Sequence, residues 1–361
     1  MKDSSVSSRT IEWLRFFCVV LVVFVHAFGK PLQGLERVVW QNGFYDTVRI
    51  SVSEGICVVA VPIFFFISGF LFFRGLEEWN TSVWIGKLKK RVRTLLVPYL
   101  IWNILSILVQ FLSENRAALL WGAFPDIGAW FQGIGGWRVF WGTGSLGLPH
   151  NAPLWFIRNL MLLAIFAPLI FLLVRKSGVV GLLALTVLYV PDWWIKVPGF
   201  EISGLLFFAA GALFTIRRMD FSESFEKVRI PLALVSIPFW VVMVLSFGND
   251  YRLFGIMHRC FALFACPSVV GTAAHLIRSN RIRERELLSG SVFMVFAMHA
   301  TIVLPRIVIY LNRIFPSSSQ AALILKYFAA PLLTVLAILA CYSLMRKWTP
   351  RTLAVLTGGR A

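Results

Sequence analysis

The chain has 361 residues, 58% hydrophobic and 14% charged, with a mean hydropathy of +0.77 and a net charge of +18. Soluble domains carry about 25% charged residues, so this composition excludes a water-soluble protein and requires one that crosses a membrane many times. The basic excess, which in a soluble chain would point to nucleic acid, is expected here from cations collecting in cytoplasmic loops.

The first element is the stretch EWLRFFCVVLVVFVHAF, Glu12 to Phe28, with ten apolar residues between Arg15 and Val25's successor, His26. Ionisable groups in lipid cost several kcal/mol unless they face protein or a watery cavity, which makes them functional candidates. Eleven helical steps of about 100° bring Arg15 and His26 onto one face, about 16 Å apart along the axis. A signal peptide is not expected, because the charged groups lie within the segment and no small-x-small site follows.

About ten spans are predicted: 11–28, 53–73, 94–113, 153–174, 178–194, 199–216, 230–248, 254–277, 288–311 and 322–345. The segment 117–147, with Trp121, Trp130, Trp137 and Trp141, reads as an extracytoplasmic loop with interfacial or re-entrant pieces, since Trp favours the headgroup level. With the N-terminus inside, 22 Lys and Arg fall in cytoplasmic segments, nine outside (Lys30 and Arg37 among them) and four within spans. That asymmetry places both termini in the cytoplasm. The fold class is therefore all-α, with one membrane-embedded domain over 1–361. The five cysteines, Cys18, Cys57, Cys260, Cys266 and Cys341, lie in apolar segments without a CxxC pair, so no metal site is expected.

Several polar groups gather at the outer ends of spans: Glu54, His150, Arg158, Asn159, Glu201, His258 and Arg259. A carboxylate such as Glu54 would orient the His26 imidazole as a general base. An arginine such as Arg158 would hold an oxyanion or a substrate. For His258 and Arg259 an ordinary snorkelling role is the simpler expectation, and for mid-membrane His299 a core hydrogen bond. In KLKKRVRTLLVPYL, Lys87 to Leu100, Lys90 and Arg93 stand three apart on a helix. With Arg15 they would form a cytoplasmic mouth for a multiply phosphorylated ligand with a long arm. In FFFISGFLFF, Phe64 to Phe73, Ser68-Gly69 reads mainly as a close helix contact.

The order of these pieces resembles the acyltransferase-3 family of integral membrane acyltransferases. The likeness rests on Arg15, ten residues and His26; FFISGFL at 65–71; KRVRTLLVPY at 90–99; PLWFIRNL at 153–160; GLLFFAAGALF at 204–214; and VFAMH at 295–299. The resemblance implies transfer of an acyl group, usually acetyl from acetyl-CoA, to hydroxyls of sugars or lipids bound for the cell surface. It implies His26 as the catalytic histidine, Arg15 as its partner and the Lys90–Arg93 region as the CoA contact. Where the family often has Arg, two residues, Arg, this chain has Lys90. Some relatives add an extracytoplasmic hydrolase-like domain, which is not expected within these 361 residues.

The resulting expectation is a multi-pass inner-membrane O-acyltransferase, moving groups other than aminoacyl. Acyl-CoA phosphates would lie on Arg15, Lys90, Arg91 and Arg93. His26, with Glu54, would deprotonate a glycan or lipid-linked acceptor, directly or after carrying the acyl group. Arg158 and Ser68 would serve the oxyanion or the acceptor, with Asn159 and His150 at the same depth, and Trp155 would stack on a sugar. Membrane lipid is an expected partner and nucleic acid is not; a homo-oligomer is allowed. The alternative is a transporter or flippase for a polar or lipid-linked sugar, built from the same buried charge. No internal repeat supports it.

Overall fold

A computed structural model describes residues 6–27, 43–76, 78–116, 120, 125–142, 147–316 and 319–359. Phe28, Lys30, Arg37 and Trp121 lie outside the described residues. The protein is an all-α membrane protein, with no β-strand among the described residues. Eight helices have the length and apolarity to cross a membrane. They are α1 (Val6–Ala27), α2 (Phe44–Phe73), α3 (Thr81–Glu114), α5 (Ala167–Tyr189), α7 (Phe221–Ser246), α8 (Tyr251–Arg278), α9 (Glu286–Ile314) and α10 (Gln320–Trp348). Two shorter apolar helices, α4 (Ala152–Ile165) and α6 (Ile202–Ile216), occupy the other expected segments. A short α11 (Pro350–Leu356) follows α10.

α2, α3 and α7 start nine or more residues ahead of their expected bounds, α7 at Phe221 rather than near residue 230. α2 begins at Phe44 rather than near residue 53, and passes through a wide π-helical stretch, Ile50–Gly55, before its regular part. α3 begins at Thr81, because the Asn80 side chain caps it by accepting from the Val83 N–H at 3.1 Å. The basic run 87–93 is therefore helical and continuous with the apolar part of α3.

The expected span 153–174 is interrupted at Phe166, between α4 and α5. α5 itself breaks at Gly178, with φ +52°. The Phe166 ring lies 5.3 Å from that of Phe200 before α6, Gly178 lies against Arg217 after it, and Tyr189 lies 5.9 Å from Phe207 within it. The chain thus runs along α6 to its Arg217 end and turns back at Gly178. In the expected loop 117–147, helical pieces cover Ile127–Gly133 and Gly136–Phe140.

α1 lies inside the bundle, packed on α2, α8, α9 and α10. Its buried face includes Leu14, Cys18, Val22 and Val23. Outward faces of other helices carry exposed Leu169, Leu245 and Leu336, as helices bathed in hydrocarbon do. α2 and α6 cross at backbone contact. A Cβ on Gly69 would lie 2.0 Å from the Phe208 carbonyl oxygen, and one on Gly211 would lie 2.0 Å from that of Phe66. Small residues let transmembrane backbones approach this closely, which is the role expected of Ser68-Gly69.

Gly69→Ala should therefore separate α2 from α6 and cost about 1–3 kcal/mol, as overpacking does. Gly86→Ala, on α3 where a Cβ would meet nothing within 4 Å, should leave stability unchanged or raised. Thermal unfolding of the two variants in detergent, followed by tryptophan fluorescence, compares them. Equal melting temperatures would show that the α2–α6 crossing tolerates a methyl group.

Candidate active site

α1 carries its two ionisable groups into different surroundings. Arg15 lines a cavity of about 530 Å³ between α1, α2, α3, α4 and α9. Lys87, Lys90 and Arg91 of α3 line it too, and none of the described lining residues is acidic. Lys87 Nζ donates to the carbonyls of Phe72 and of Arg74, the latter at 3.0 Å. Lys87 and Arg91 also sit over the Phe72 ring, at 5.5 and 5.7 Å from its centroid. These contacts fix two of the four cations against one wall. Four like charges in a site walled by apolar side chains repel each other strongly at low dielectric. A ligand bearing several negative charges, phosphates above all, relieves that repulsion and matches the donors.

Arg93 is exposed and does not line this cavity; Lys87 does. On a regular helix Arg93 stands about 200° from Arg91, so the two cannot both face inward. Ser68 lines the cavity, as do Thr94 and Leu95 of the π-helical turn Val92–Leu96. The chain after α11 returns to the mouth: Gly358 and Gly359 line it, and the Trp102 Nε1 of α3 donates to the Leu356 carbonyl at 2.9 Å.

The rings of Phe64, Phe156 and Phe296 line the cavity and pack together. Phe156 lies 5.7 Å from Phe64 and 5.8 Å from Phe296. The His299 ring lies 6.2 Å from that of Phe296. The His26 ring lies 4.9 Å from that of His299, with the planes at 61°. His299 is fully buried, and its Nδ1 is 3.0 Å from the Val295 carbonyl and 2.8 Å from that of Phe296. His299 was expected to make only a core hydrogen bond. It makes that bond and also meets His26.

A polar chain holds the backbone beside His299. Asn103 of α3 donates through Nδ2 to the Tyr99 carbonyl at 2.9 Å. Its Oδ1 accepts from the Asn151 N–H at 3.0 Å. Asn151 Nδ2 in turn donates to the Ala297 carbonyl at 3.0 Å. Asn103 and Asn151 are fully buried. Sequence reasoning passed over both, although Asn103 was legible as a polar residue within an apolar span.

Glu54 belongs to the π-helical stretch of α2 that packs on the end of α1. There Ser53 Oγ lies 2.7 Å from the Phe24 carbonyl and 2.6 Å from the Tyr327 hydroxyl. A carbonyl only accepts, so Ser53 gives its proton to Phe24 and Tyr327 donates to Ser53. This clamp fixes Phe24, two residues before His26. The imidazole of His299 packs on the His26 ring.

Arg158, Asn159, Trp155 and His150 lie away from the basic cavity, although Phe156 and Ile157 between them line it. Arg158 is 1% exposed, with Nη1 donating to the Trp141 and Gly147 carbonyls, the latter at 2.8 Å. Its Nη2 lies 3.7 Å from Glu201, and its guanidinium sits 5.6 Å from the Trp141 ring. This arginine ties Trp141 and Gly147 to α4. Asn159 and Glu201 line a second, largely apolar cavity of about 250 Å³. Trp155 packs on Phe65, with centroids 6.3 Å apart. His150 sits in the loop before α4, where burial pushes its imidazole below the ordinary value. Arg259 pairs with Asp192 at 3.0 Å. Among the described residues no cluster of three His, Cys, Asp or Glu could hold a metal.

This arrangement joins a polycationic cavity to a histidine pair inside one apolar bundle. A family model for an acyltransferase domain, that of acyltransferase family 3, matches residues 9–346, and the chain belongs to that family. It is a multi-pass membrane enzyme that transfers acyl groups. It is 29% identical, over 99% of its own length and 94% of the other's, to the succinoglycan biosynthesis protein ExoH of Rhizobium meliloti (strain 1021). No solved structure matches the chain.

Arg158→Met should leave the Trp141 and Gly147 carbonyls and Glu201 without their donor. Glu201 is partly exposed, so the cost is mainly that of carbonyls left without a donor, about 1–3 kcal/mol. The loss should appear as reduced folded yield and melting temperature in parallel with activity. An Arg158→Met protein of unchanged stability but lost activity would assign Arg158 to the chemistry instead.

Proposed function

We propose that the protein is an inner-membrane O-acyltransferase that moves an acyl group, acetyl foremost, from cytoplasmic acyl-CoA to a hydroxyl of a surface-destined glycan. The observation that carries this reading is the four-cation cavity on α1, whose aromatic end leads to the histidine pair. Arg15, Lys87, Lys90 and Arg91 would bind the donor's phosphates. Its arm would follow α1 past Phe296, covering the roughly 16 Å that eleven helical residues span. The excess of Lys and Arg in the segments assigned to the cytoplasm supports entry of the donor from that side. The name of the ExoH relative, a succinoglycan biosynthesis protein, supports a polysaccharide or its lipid-linked precursor as acceptor. The membrane domain over 1–361 would act as one unit.

In the reaction His26 takes the proton of the acceptor hydroxyl as its oxygen attacks the thioester carbonyl. The carbon–oxygen bond forms and the carbon–sulfur bond breaks. The leaving thiolate recovers the proton from the imidazolium, giving an ester and a free thiol. Glu54 and the Ser53–Tyr327 clamp would hold the α1 end that presents His26.

The test is transfer from radiolabelled acetyl-CoA to an acceptor extract in membranes containing wild type or His26→Ala at equal folded abundance. General-base loss should lower the rate at least about a hundredfold. Arg91→Gln should instead raise the KM for acetyl-CoA about tenfold or more, and added salt should weaken donor binding to wild type. Transfer by His26→Ala at the wild-type rate would overturn the assignment of the base. Background transfer by both proteins would overturn acetyl-CoA as donor.

A further inference from the structure

The hydrogen bonds of His299 determine the state of its ring. Nδ1 faces two carbonyl oxygens, Val295 at 3.0 Å and Phe296 at 2.8 Å. Carbonyl oxygens only accept, so in the uncharged ring Nδ1 carries the hydrogen and Nε2 carries the lone pair. The ring has little freedom to turn. His299 is fully buried and begins the π-helical turn His299–Val303, a distortion that recurs at functional sites. The turn before it is tied to Asn151 through the Ala297 carbonyl, and Asn151 is tied to Asn103. Against this fixed ring lies His26, with centroids 4.9 Å apart. That separation puts a nitrogen-to-nitrogen hydrogen bond of about 2.9 Å within reach once the His26 ring turns a nitrogen toward Nε2.

We propose that His299 is a positioning residue for His26. Its Nε2 accepts a hydrogen bond from one N–H of His26, which holds the His26 imidazole in one tautomer and one orientation. The other His26 nitrogen then presents its lone pair to the acceptor hydroxyl. This rests on the reading of His26 as general base. In the transfer step the acceptor's proton goes to that lone pair, while the N–H shared with His299 stays in place and His299 keeps its Nδ1 hydrogen. His299 stabilises the transient imidazolium as a neutral acceptor. The sequence presents the partner as one histidine among five, far from His26 in the chain. The carbonyl contacts alone would be met by any buried donor; the lone pair aimed away from them is what a core role does not need.

The experiment compares wild type, His299→Phe, His299→Gln and His26→Ala as full-length protein in lipid nanodiscs, using acetyl-CoA and a polysaccharide acceptor. Phenylalanine keeps the ring's bulk without an acceptor. Glutamine offers an N–H to the carbonyls and an oxygen to His26. His299→Phe should lower kcat about a hundredfold, within the range for proton-transfer catalysis. Its KM for acetyl-CoA and its melting temperature should stay near wild type, and His299→Gln should recover at least tenfold of the loss. With nitrogen-15 histidine labelling, His26 should give single-tautomer shifts in wild type and averaged shifts in His299→Phe. A wild-type kcat for His299→Phe beside an inactive His26→Ala would overturn the role of His299 and leave His26 as base. A loss in both His299 variants that tracks melting temperature would assign His299 to packing alone and overturn the proposal. An active His26→Ala would overturn the base assignment on which it stands.

Discussion

An ionisable group cannot face hydrocarbon without a cost of several kcal/mol, and α1 carries such groups at both ends of an unbroken apolar run. This constraint sets the position of α1 in the bundle. Arg15 and His26 share one face, so that face must meet protein or a polar cavity along its whole length. The helix is accordingly surrounded, with α2, α8, α9 and α10 against it. Arg15 opens into the basic cavity and His26 ends against His299. The other helices arrange themselves around that need, and their outward faces keep the large apolar residues that lipid accepts.

Holding two side chains in register on one helix is of use only if the surrounding helices are equally fixed. The α2–α6 crossing supplies one anchor, since backbone contact at Gly69 and Gly211 leaves no room for sliding. The Tyr99–Asn103–Asn151–Ala297 chain supplies a second by tying α3 and the loop before α4 to the turn that carries His299. The Ser53–Tyr327 clamp on the Phe24 carbonyl supplies a third. In a bilayer, where apolar packing between helices gains little over packing against lipid, contacts of these kinds carry helix association. Polar side chains that look like chemistry in the sequence also tie elements together, as Arg158 does where its Nη1 donates to the carbonyls of Trp141 and Gly147.

The apolar segments and the shared face of Arg15 and His26 were legible, because hydropathy and helical period are local properties. So was the close contact at Gly69. The π-helical stretches were not, since no local pattern distinguishes them from regular helix, and two of them lie where α2 meets the end of α1 and where α9 reaches His299. The basic run showed its charge but not its inward face. Helical geometry separates Arg91 from Arg93 by about 200°, yet which of them turns inward depends on where α2 lies. The pairing of His26 with His299 depends on the meeting of helices at opposite ends of the chain, and no spacing within either helix reports it.

The distribution of charge along α1 has a physical logic. Four cations line one cavity, where the proposed polyanionic donor would neutralise them, and the proposed reacting end joins two imidazoles. A carboxylate against His26 would bring a full negative charge into the apolar interior, at a desolvation cost that a single hydrogen bond does not return. An imidazole acceptor orients its partner without that charge. In the proposed transfer, charge would appear at the reacting end only while the imidazolium holds the proton, until the leaving thiolate recovers it. On that reading the permanent positive charge of Arg15, Lys87, Lys90 and Arg91 serves the donor's phosphates and stands apart from the histidine pair.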